Sequence, residues 1–250
     1  MNFALFSREV RTSFPLLLVF AVLTGGASYA ILANQLYDSP LLASLAENGG
    51  IPSGSLSFYT AVLIGMLLLF ALILSNRLVS HQVSNRRMGY LLASPNSRRS
   101  IAATKRFVIA FQMMILTLIC SAVFGWLTMT FAPETFDGRA LTLASLGAFF
   151  LVYALSGLMF LFTCCFRRSL PSVVLSVLLC AVFGVLRLIA AQGGTLAYCR
   201  FASPFTLLDL SGILAGDMIA LLKLLALFAI GLVLQFIAFA VFQRKNFDYL

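Results

Sequence analysis

One histidine, one tryptophan and eight acidic residues are spread over 250 positions, and the dipeptide Gly-Lys does not occur. Without a Gly-x-x-x-x-Gly-Lys-Ser/Thr loop the chain has no cradle of that kind for ATP phosphates. With His81 as the one imidazole, a zinc protease or a haem-ligating bundle is short of ligands. A rhomboid-like intramembrane protease needs a Gly-x-Ser-Gly element and a helix-borne His. Here Ser156-Gly157 lacks the earlier glycine, and His81 falls in a basic loop. The few acids are scattered and form no carboxylate cluster for metal-dependent phosphoryl transfer. Five cysteines occur without a Cys-x-x-Cys. Cys120, Cys164, Cys165 and Cys180 lie in or beside apolar runs, which leaves Cys199 with no partner for an external disulfide. Charged residues make up 10% of the chain, against about 25% in soluble domains. That excludes an ordinary cytosolic globule, and the apolar content excludes a disordered chain.

What the chain has is apolar length. Hydrophobic residues reach 61%, 24 residues are Phe, and the mean hydropathy is +1.02. A membrane helix needs about 20 mostly apolar residues. Six stretches qualify, at about 14–33, 58–79, 107–131, 141–166, 170–191 and 219–242. Pro40, Pro52, Pro95, Pro133, Pro171 and Pro204 fall between or at the ends of these runs, and Pro15 sits in a first turn, where no internal helical bond is lost. A membrane barrel would show alternating segments of about ten residues. These runs are longer and apolar all round, so the expected fold is an all-α membrane protein with six transmembrane helices.

The net charge of +9 first raises nucleic acid as a partner. Its placement argues otherwise. Arg8, Arg11, Arg77, Arg86, Arg87, Arg98, Arg99, Lys105, Arg106, Arg167, Arg168, Arg244 and Lys245 share one side of the six spans, while Arg139 and Arg200 lie on the other, with Arg187 and Lys223 near span ends. Asp38, Glu47, Glu134, Asp137, Asp209 and Asp217 mostly take the second side. The positive-inside rule then puts both termini in the cytoplasm, and no nucleic acid is expected. The first run is too long for a signal-peptide core and has no clear small-residue cleavage site before Tyr29, so it is read as a retained span.

Between the spans, residues 1–12 read as an amphipathic interfacial helix, with Phe3, Phe6 and Val10 on one face and Arg8, Glu9 and Arg11 on the other. Ser39-Pro40 and Asn48-Gly49-Gly50 bracket a short helix in the first outer loop. The loop from Arg77 to Arg106 carries the most information. Arg86 and Arg87 precede an apolar knot of Met88, Gly89, Tyr90, Leu91 and Leu92; Pro95 ends it, and Ser97 can cap the helix that starts near Arg98. An exposed Tyr and Leu cluster beside Arg either docks a cytosolic protein or dips into lipid. The residues alone leave both open.

This segment, Arg-Met-Gly-Tyr-Leu-Leu-Ala-Ser-Pro-Asn-Ser-Arg followed by Ile101 and Lys105, resembles the loop after the second span in permeases of the type-2 ABC exporter family. Ser203-Pro204-Phe205, Leu208-Asp209 and Gly212-Ile213-Leu214 resemble the outer segment before that family's last span, and Phe242-Gln-Arg-Lys-Asn-Phe247 resembles its usual C-terminus. The resemblance covers the whole chain. It implies that Arg86 to Leu92, with Pro95 and Arg98, form a cytoplasmic coupling helix docked on an ABC ATP-binding subunit. Two copies of that subunit are implied, holding ATP and Mg, with no cofactor in this chain. It also implies a second permease chain, identical or related, and a location in the bacterial cytoplasmic membrane. One departure stands out: the acid the family carries just before the Gly is absent, with Asn85 and the Arg pair in its place.

For transport itself, Arg187 is the charge deepest within a run. It either serves a pathway, pairing with Asp209 or Asp217 or facing an anionic group, or snorkels to the outer headgroups. Residues 192–217 are long for a loop and compatible with a re-entrant hairpin. The resemblance makes this region an outer gate, with Phe201, Phe205, Leu208 and Asp209 as candidates; plain packing is the alternative. Small residues four apart, at Ala21 and Gly25, Gly26 and Ala30, Ser121 and Gly125, and Cys180 and Gly184, permit close helix contact. The expected activity is outward movement of an amphiphile such as a peptide, lipid or drug. The alternatives are a non-transporting scaffold or sensor paired with an ATPase, or a small secondary transporter.

Overall fold

A computed structural model describes residues 3–36, 55–80, 98–131, 133, 136–166, 169–191, 204–215 and 217–244. Among them the chain is helical, without strands. α1 is Phe3–Leu36, α2 Ser55–Ser75, α3 Arg98–Phe131, α4 Gly138–Cys165, α5 Ser169–Ala191, α6 Leu210–Ala215 and α7 Met218–Arg244. A π turn, Asn76–Ser80, continues α2, and a 3-10 turn, Pro204–Leu207, precedes α6. Five helices, α1 to α4 and α7, are long and apolar enough to cross a membrane. α5 adds a shorter apolar stretch, Leu170–Leu186. This is the architecture of a multi-pass membrane protein.

The helices follow from their sequences. In lipid every backbone group must bond within its own segment, and a continuous apolar run meets that only as a helix. Asp137 caps α4, its Oδ1 accepting from the N–H of Arg139 at 2.9 Å and Ala140 at 3.2 Å. α1 and α3 are 34 residues each, about 51 Å at 1.5 Å per residue. That exceeds the hydrocarbon thickness of roughly 30 Å. The expected interfacial helix is therefore not a separate element: α1 runs unbroken through Pro15. Phe6 packs on Phe107 and Phe111 of α3, with ring centroids 5.6 and 5.5 Å away.

Two groupings emerge. α1 lies along α2 and α3, and α4 packs most extensively on α7. α4 also touches α2, α3, α5 and α6, and two thirds of its span is buried against a little over a quarter for α7. Small residues make α4 central. Gly157 accepts the Leu234 side chain, with a would-be Cβ 3.0 Å from Leu234 Cβ, and Gly231 of α7 faces Tyr153 and the backbone of Ala154. Of the small-residue pairs singled out in the sequence, Gly25 faces Val123 and Gly125 faces Leu141, whereas Gly26 and Gly184 meet nothing within 4 Å.

Candidate functional site

Two ends of the bundle carry polar structure inside an apolar body. At one end the start of α1, the π turn, the start of α3 and the end of α7 come together. The Lys105 side chain lies there, fully buried. Its ammonium donates to the carbonyl of Leu78 in the π turn and stands 3.9 Å from Glu9 Oε1 of α1. Glu9 is 8% exposed. The helical spacing of residues 1–12 places Glu9 on the polar face with Arg8 and Arg11; the structure turns it inward, because the neighbouring α3 offers it a cation. Lys105 reads in the sequence as one more charge of a basic loop, yet α3 begins at Arg98 and carries it into the bundle. Nearby, Gln112 Nε2 donates to the Val10 carbonyl at 3.3 Å, and the Arg106 guanidinium lies 5.6 Å from the Phe239 ring centre on α7.

At the opposite end, Asp209 joins the segment before α6 to α7. Its Oδ1 accepts from the N–H of Gly212 at 3.2 Å and caps α6, while Oδ2 pairs with Lys223 Nζ at 3.3 Å. Lys223 pairs with it among the described residues, whereas Arg187, which the sequence offers as a partner of Asp209 or Asp217, has its side chain outside them. Leu208 is buried and leans over Gly147 of α4 so closely that a Cβ there would lie 2.6 Å from its Cδ1. Phe205 packs on the same core. Two of the expected gate residues thus wedge into the bundle beside Asp209. Arg187 lies near the C-terminal end of α5, and its side chain is outside the described residues, as is Phe201.

Between the ends runs a set of buried uncharged polar contacts. Gln235 Nε2 of α7 donates to Ser156 Oγ of α4 at 3.1 Å, and Ser156 Oγ donates to its own helix at Tyr153 O, 2.7 Å. The Cys120 thiol of α3 donates to Thr24 Oγ1 of α1 at 3.0 Å. The Tyr59 ring of α2 stacks on Phe124 of α3 at 4.0 Å. Among the described residues no group of three His, Cys, Asp or Glu side chains gathers to hold a metal ion.

The expected coupling residues Arg86, Arg87, Met88, Gly89, Tyr90, Leu91, Leu92 and Pro95 lie outside the described residues. Arg98 is the first residue of α3, its side chain likewise outside them. The same holds for Ser39 to Gly50 and for residues 245–250. Sequence reasoning missed Glu9, Lys105, Gln235 and Lys223 as partners. The signal open to it was polar residues within or beside apolar runs, where an unpaired group is costly. No protein-family model matches the chain, and no curated protein matches its sequence.

Proposed function

We propose that the chain is the transmembrane subunit of an ATP-driven exporter of the type-2 ABC kind, moving an amphiphilic substrate such as a peptide, lipid or drug outward. Both termini and the segment between α2 and α3 face the cytoplasm of a bacterial cell in this reading. A separate ATP-binding subunit, present in two copies with ATP and Mg, docks on Arg86 to Leu92, and a second permease chain completes the route. Closure of the ATPase dimer pushes on that segment, the spans rock, and the outer segment at Phe201, Phe205 and Leu208 yields. One observation carries the reading: the basic and apolar knot at residues 86–92 sits between α2 and α3, whose adjoining ends meet at the buried Lys105 in a bundle of membrane-length helices.

Purification from the native host, followed by identification of what co-elutes, tests it. A stoichiometric ATP-binding subunit whose turnover drives export is the expected result, and the absence of any such subunit overturns the reading. A bound ATPase whose turnover supports no export favours a scaffold or sensor instead.

A further inference from the structure

Residues 9, 78 and 105 are far apart in the chain, yet one ammonium group joins them. Leu78 lies in the π turn that continues α2. Lys105 supplies a donor to that carbonyl from the neighbouring helix. A buried ammonium persists only where negative groups replace its lost hydration. Here they include the Leu78 carbonyl and the Glu9 carboxylate 3.9 Å away. The Phe6 contacts and the Gln112 bond already hold α1 to α3. Lys105 extends that attachment to the π turn that continues α2.

We propose that Lys105 is a positioning residue that clamps the start of α1 to the π turn that continues α2, so that the two segments move as one body whenever the chain between α2 and α3 is displaced. The clamp is independent of what displaces that segment, so it stands or falls apart from the exporter reading.

Spin labels at Ser7→Cys and Arg77→Cys, both exposed positions, report the clamp by pulsed dipolar distances. The full chain is used in lipid nanodiscs with its native cysteines replaced. A second pair, Leu146→Cys on α4 and Leu225→Cys on α7, both exposed, reports the rest of the bundle. The variant is Lys105→Met with Glu9→Leu, which removes both charges and strands neither. The unaltered clamp gives one narrow 7–77 distance. The double variant widens that distribution about twofold or more while the 146–225 distance stays put, because a segment freed of its tie samples a second arrangement. An unchanged 7–77 distribution with an unchanged control overturns the proposal. Where the double variant does not fold, hydrogen exchange on the unaltered chain decides. Amides of residues 5–13 and 76–80 opening as one unit, with protection agreeing within about tenfold, support the clamp; openings that differ by about a hundredfold or more overturn it.

Discussion

Gly231 on α7 faces Tyr153 on α4 so closely that a methyl group in place of its hydrogen would lie 2.9 Å from the ring Cδ1 and 3.2 Å from the Cα of Ala154. The neighbour on one side is backbone, which cannot swing aside. Gly231→Ala therefore costs about 1–3 kcal/mol through overpacking, although alanine gains up to about 1 kcal/mol in helix propensity. Gly26→Ala, which meets nothing within 4 Å, keeps that gain. Thermal unfolding of both variants in one detergent checks the contrast; equal midpoints would show that α4 and α7 are not packed this closely.

The Gln235 and Ser156 contact predicts an asymmetry. Ser156→Ala takes away the acceptor of the Gln235 amide inside the bundle and costs about 1–2 kcal/mol. Gln235→Met removes the amide together with its buried, unpartnered Oε1. It leaves Ser156 bonded to Tyr153 O, so stability stays within about 0.5 kcal/mol of the parent. Reversible unfolding in mixed micelles measures both, and a larger loss for Gln235→Met would reverse the assignment of who depends on whom.

Asp209 performs two tasks with two oxygens, and they are separable. Lys223→Met removes only a partly exposed ion pair, worth about 0.2–1 kcal/mol. Asp209→Ala also removes the cap on Gly212, worth about 1 kcal/mol more. The expected order of melting temperatures is parent, Lys223→Met, Asp209→Ala. Raising the salt concentration narrows the gap between the parent and Lys223→Met but not the gap between the two variants.

The helices were legible because apolar runs in lipid leave the backbone no other choice, and their ends follow prolines and the Asp137 cap. Which helix is central was not. Lipid tails and a packed interior are equally apolar, so hydropathy does not separate the buried α4 from the largely exposed α7. The distinguishing mark was the small residues of α4, Ser145, Gly147, Ser156 and Gly157, rather than the pairs at Gly26 and Gly184. The Lys105 site was hidden for a different reason. Its partners are a backbone carbonyl in a π turn and an acid 96 positions away in the sequence, and neither the turn type nor that pairing leaves a periodic trace. Asp209 was legible as a candidate, and its contact with Lys223 was not, because the turn of chain between them brings the two together.

Docking of an ATP-binding subunit on residues 86–92, as proposed, is tested by the Tyr90→Asp, Leu91→Asp double variant. The measurement is the amount of ATPase that co-purifies per chain, taken beside the melting temperature of the purified bundle. The expected result is loss of the ATPase with the melting temperature unchanged. Retention of the ATPase at the parent ratio by a folded variant would contradict it.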